Sequence, residues 1–113
     1  MNLAVKISQF KIAPSSKNKR WLIFDLESNG LYDSVSVIFC IVIYDIGTHQ
    51  TFTYGPDRIN AALAHLATAD VLIGHNIIFY DLPVLQKLHS FVCKSRIVDT
   101  LIDRKSTRLN SSH

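Results

Sequence analysis

The chain has 113 residues, of which 48% are hydrophobic and 19% charged, the composition of one globular domain rather than a disordered polyelectrolyte. Its longest apolar run, residues 37–44, is strand-sized, so a membrane-spanning role is excluded, and an intracellular (cytoplasmic) location is the expectation. The formal net charge of +3 is weak support for an acidic partner, because residues 103–113 contribute +2 of it.

Residues 1–20 carry five basic side chains and no acidic one. Residues 3–12 can form a strand, and the Pro14-Ser15-Ser16-Lys17-Asn18-Lys19 stretch reads as linker. As a whole the segment is either a solvated leader or a phosphate-attracting arm. From Arg20 to Glu27 a mostly apolar, β-branched and aromatic run predicts a strand, with Asn29-Gly30 turning the chain after it. Residues 35–44 read as a central strand buried on both faces. Gly47 marks a turn, and residues 50–54 alternate as a third strand, completing an antiparallel meander. Asp57 is placed to cap a helix on which Ile59, Ala62, Leu63, Leu66 and Ala67 form the apolar stripe, ending at Asp70. Residues 71–74 form a short apolar strand leading into His75-Asn76. A second helix carries Val84, Leu85, Leu88 and Val92 inward and ends near Phe91. Residues 96–98 are the last strand, and Asp99-Thr100 caps a following helix. The order predicts an α/β fold with a mixed sheet and flanking helices. Cys40 and Cys93 lack metal-ligand spacing and are expected as buried thiols.

Residues 103–113, Asp103-Arg104-Lys105-Ser106-Thr107-Arg108-Leu109-Asn110-Ser111-Ser112-His113, resemble the in-frame translation of a common sequencing adapter at all eleven positions. Without hydrophobic periodicity they are set aside from the fold as a non-native tail, and the genuine chain is expected to run to about Ile102, cut off there. That chain holds nine basic and eight acidic residues, a net of +1.

Strand periodicity puts Asp25 and Glu27 on one face together with Trp21 and Ile23. Two carboxylates side by side at the end of an apolar strand repel each other and lose hydration, so something must compensate. Asp81 precedes Val84, Leu85 and Leu88 by helical intervals, which turns it toward the sheet. Carboxylates converging from a strand and a helix suit a hard divalent cation. Bland alternatives exist for each residue. Asp25-x-Glu27 alone is a weak motif, Asp81 can cap the second helix ahead of Pro83, Asn76 can serve only as a turn residue, and His75 can pack or hydrogen-bond at a strand end.

Taken together, Asp25-x-Glu27 and Asn76 with Tyr80-Asp81 resemble the first two motifs of the DEDD superfamily of 3′-5′ exonucleases, whose fold is ribonuclease H-like. His75-Asn76-x-x-x-Tyr80-Asp81-x-Pro83-x-Leu85-x-Lys87-Leu88, Phe39-Cys40-x-Val42-Ile43-Tyr44-Asp45 and Asp99-Thr100-Leu101 are similar to the proofreading domain at the N-terminus of phage family A DNA polymerases. The resemblance implies a partial ribonuclease H-like domain over residues 21–102, incomplete at its C-terminus, after an extension at 1–20. It implies catalytic and metal-binding roles for Asp25, Glu27 and Asp81, with two magnesium (or manganese) ions about 4 Å apart serving in-line phosphodiester hydrolysis in the complete parent. Ser28, Leu31, Asn76 and Tyr80 are implied as substrate-binding.

The implied partners are a single-stranded 3′ end of DNA, splayed and stacked in a pocket, and a polymerase domain of the same parent, in a phage or bacterial host. The family's third motif, with the fourth aspartate, is absent, so the chain as written is expected to be inactive. Two other readings differ in class: a stand-alone DEDD exonuclease on RNA or DNA, and a non-catalytic ribonuclease H-like binding module.

Overall fold

A computed structural model describes residues 19–102. The expected strand at 3–12 and the tail at 103–113 lie outside the described residues. Three strands come first, β1 (Trp21–Ser28), β2 (Ile38–Asp45) and β3 (Gln50–Tyr54). A 3-10 turn (Pro56–Arg58) leads into α1 (Ile59–Leu66), followed by β4 (Val71–Gly74). A π-helical turn (Ile77–Asp81) runs into α2 (Leu82–His89), and β5 (Arg96–Asp99) follows.

The strands form one open sheet in the order β3-β2-β1-β4-β5. β1 pairs antiparallel with β2, from Leu22 opposite Asp45 to Ser28 opposite Ile38, and β2 pairs antiparallel with β3. β4 lies parallel to β1, with Trp21 beside Val71 and Ile23 beside Ile73, and β5 parallel to β4. This is the mixed α/β sheet expected from the sequence, consistent with a ribonuclease H-like fold. The antiparallel meander and the bounds of β3 and β4 are as expected.

The central strand is β1 rather than β2. Leu22, Ile23 and Phe24 are buried consecutively, which requires cover on both faces of the strand. β2 lies one strand from the edge, and its second face is only half covered, with Phe39 51% exposed. Strand alternation then divides the core. Leu22, Phe24, Leu26, Ile41, Ile43 and Leu72 meet the buried residues of both helices, Ile59, Ala62, Leu63 and Leu66 of α1 and Val84 and Leu85 of α2. On the opposite face Ile23, Val71, Ile73 and Val98 form a second cluster with Trp21, Tyr44 and Ile46.

Local chemistry departs from expectation at several positions. Asp57 does not cap α1, because Pro56 starts a 3-10 turn that keeps Asp57 one residue ahead of the cap position, where Arg58 stands instead. α1 stops at Leu66, leaving Ala67 exposed, while Asp70 accepts the backbone N–H of Arg20 at 2.7 Å and so pins the start of β1 to the start of β4. α2 ends where Ser90 adopts a left-handed conformation, so Val92 falls beyond the helix and is exposed rather than buried. Cys40 and Cys93 are half-buried. Among the described residues, no helix is long and apolar enough to cross a membrane.

Candidate functional site

The candidate site is built where β4 stops and β1 continues. β4 accompanies β1 only as far as Ile23, leaving Asp25 to Ser28 paired on the β2 side. The carboxyl ends of adjacent parallel strands are where open α/β sheets place ligands. Asp25 is half-buried and Glu27 exposed, on the face that carries Trp21 and Ile23. Glu27 stands opposite Cys40 and Asp25 opposite Val42. The Cys40 thiol is pushed up from its ordinary range by burial, then by the negative charges of Glu27 and Asp25. A register shift between Glu27 and Ser28 bends the strand end and re-aims Ser28.

Beyond β4 the chain doubles back tightly. A Cβ on Gly74 would lie 2.3 Å from Ile77 Cγ2 and 3.1 Å from the Phe24 carbonyl oxygen, so only glycine lets the turn close against β1. Asn76 is left-handed, with φ 59° and ψ 33°, a conformation that asparagine tolerates better than most residues. The π-helical turn then buries Ile77 and swings Tyr80 toward the end of β1. The Tyr80 and Ser28 hydroxyls bond to each other, and both reach the Gly30 carbonyl. Lys87 of α2 donates to the Tyr32 carbonyl at 2.5 Å, with its ammonium 5.0 Å from the centre of the Tyr32 ring. Residues 75–81 and the loop after β1 thus form one connected unit.

Within that unit the expected residues take distinct places. Ser28, Asn76 and Tyr80 are half-buried, and Leu31 is 79% exposed beside them in sequence at the loop tip. Asp81 is 5% exposed and gives α2 no side-chain cap bond, so the capping alternative is not what the structure adopts. His75 is hydrogen-bonded through Nδ1 to Thr100 Oγ1 at 2.8 Å, the strand-end role.

The three acidic residues are oxygen donors, the right chemistry for a hard divalent cation. Among the described residues, however, no group of three or more His, Cys, Asp and Glu side chains that could hold a metal ion is found.

Sequence reasoning passed over Tyr32 and Phe79, which are 43% and 70% exposed. For Phe79 the available signal was the unbroken apolar run Ile77-Ile78-Phe79-Tyr80, which cannot all face a core whatever its helical phase; for Tyr32 the sequence offered none.

No family model matches the chain. Over 71 residues, 59% of its length, the chain is 37% identical to the DNA-directed DNA polymerase of Escherichia phage T7. Over 71 residues it is also 34% identical to the DNA-directed DNA polymerase of Enterobacteria phage T3. It is thus similar to part of two phage DNA polymerases. The chain spans about a tenth of the length of each relative. A family B DNA polymerase from the hyperthermophilic archaeon Pyrobaculum calidifontis superposes with a TM-score of 0.50 at 16% identity, covering 61% of this chain and 10% of that one. That likeness concerns the fold.

Proposed function

We propose that residues 21–102 are part of a 3′-5′ exonuclease domain of a phage-type DNA polymerase, acting on the terminal phosphodiester of a single-stranded 3′ end. The observation that carries this reading is the joining of Asp25-x-Glu27 and Asn76 to Asp81 at one strand end, through the bonds of Tyr80 to Ser28 and Gly30. Similarity to part of two phage DNA polymerases supports the same parentage.

On this reading Asp25, Glu27 and Asp81 would hold magnesium or manganese. When bound, such ions activate the attacking water and stabilise the leaving 3′ oxygen. The chain's own contribution is electrostatic and positional. Asp25 and Glu27 supply a negative field at the strand end, which already acts on Cys40. Leu31, exposed at the loop tip, packs beside the terminal base. Ser28 and Tyr80 hold the loop through Gly30 and turn toward the nucleotide, and Asn76 approaches the substrate strand. The partners are DNA and the polymerase domain of the parent chain.

Fluorescence anisotropy of a labelled single-stranded oligonucleotide with a free 3′ hydroxyl tests the proposal. Affinity is expected to rise with magnesium, and Asp25→Ala to remove at least about tenfold of it. Binding that ignores both magnesium and Asp25→Ala would overturn the reading in favour of a binding module without metal.

A further inference from the structure

Besides the bonds of Tyr80 to Ser28 and Gly30, the turn carrying Asn76, Tyr80 and Asp81 receives a second set of polar contacts from the end of β5. Asp99 is 1% exposed, at the register position beside Gly74. Its Oδ1 accepts the backbone N–H of Asn76 at 2.8 Å and of Leu101 at 3.0 Å, and its Oδ2 accepts that of Ile78 at 2.9 Å. Both carboxylate oxygens are thus used on main-chain donors, the strong, charge-assisted kind of hydrogen bond. The adjacent Thr100 donates from Oγ1 to the Gly74 carbonyl at 3.3 Å and is bonded to His75 Nδ1 at 2.8 Å. Two successive side chains of one strand end therefore hold positions 74, 75, 76 and 78. A turn with a left-handed residue and a buried Ile77 has few conformations available once these bonds are made.

We propose that Asp99 and Thr100 are a positioning latch: they hold Tyr80 and Asp81 against the end of β1 and thereby set the geometry of the site without touching substrate themselves. The inference rests on the reading above for its functional consequence, but the latch itself is a statement about geometry. Leu101's bond to Asp99 adds that the chain leaving β5 is fastened to the same carboxylate, so the site and the segment beginning at residue 100 share one anchor.

The test uses the full chain, nuclear magnetic resonance and the same oligonucleotide anisotropy. In Asp99→Asn, amide exchange protection at Asn76 and Ile78 is expected to fall, the signals of Tyr80 and Asp81 to shift, and magnesium-dependent affinity to drop by roughly tenfold or more. Asp45→Asn is the control. Asp45 is also buried and accepts the N–H groups of Gly47 and Thr48 at 2.9 and 3.2 Å in the turn between β2 and β3. It is expected to lose stability while Tyr80, Asp81 and oligonucleotide affinity stay as they were.

Unmoved Tyr80 and Asp81 signals in folded Asp99→Asn, or an equal loss of affinity in Asp45→Asn, would overturn the latch. If Asp99→Asn does not fold, Thr100→Val, which removes the bonds to Gly74 and His75, is judged by the same Tyr80 and Asp81 signals. Absence of magnesium-dependent binding in the unaltered chain would count against the nuclease reading alone, and the latch would still stand or fall on the resonance measurements.

Discussion

Asn76 carries two duties that a substitution can separate. Its left-handed backbone makes the turn, while its side chain is the group proposed to meet DNA. Asn76→Gly keeps the backbone conformation at little steric cost, and Asn76→Ala strains it by about 1 kcal/mol. Urea unfolding is expected to show that difference. If the amide contacts the substrate, both variants lose affinity for the oligonucleotide; if Asn76 is only a turn residue, the glycine variant binds like the parent. The residue type was readable as a turn former, but its partner was not. The bond from its N–H goes to Asp99, 23 positions away, and a pattern of neighbours in sequence carries no trace of such a contact. The same holds for Tyr80, whose hydroxyl reaches positions 28 and 30.

Among the elements, those with a strong period stand where the sequence pointed. β3 and β4 keep their bounds, and α1 buries Ile59, Ala62, Leu63 and Leu66 at helical intervals. The π-helical turn was not legible, because its apolar residues match neither a strand nor a helix and its shape is set by Gly74 and the β5 end. Gly74→Ala tests that dependence. The added methyl would meet Ile77 at 2.3 Å and the Phe24 carbonyl oxygen at 3.1 Å, and backbone cannot yield as a flexible side chain can. A loss of about 1–3 kcal/mol is expected in urea unfolding, with α2 losing exchange protection before α1. Alternation along β1 made the common face of Asp25 and Glu27 legible, whereas the place of Asp81 relative to them depends on the π-helical turn, which was not.

For the molecule as a whole, one contact joining the helix layer to the sheet predicts how stability responds to acid. His65 of α1 bonds to the Tyr54 hydroxyl of β3 at 2.9 Å and meets the Phe52 ring edge-on at 4.7 Å. Burial, then the charge of Arg20, holds its imidazole below the ordinary range, with Asp45 acting in the opposite sense. The folded state therefore binds this proton less readily than the unfolded chain. The associated stability is present above the ordinary imidazole range, near roughly pH 6.5, and is lost as pH falls from there through the lower folded value. Melting temperature followed between about pH 7.5 and 5 is expected to fall on that account, and His65→Gln to flatten the fall.

The seam between β1 and β4 has a consequence of a different kind. β1, β2 and β3 are neighbours along the chain and can join by short hairpin-like connections, whereas Trp21 meets Val71 only after fifty further residues have been added. During synthesis on a ribosome the meander is therefore free to assemble first, with the outer edge of β1 bare until β4 arrives. That waiting edge is where a nascent polypeptide of this kind is most open to mispairing with a neighbour.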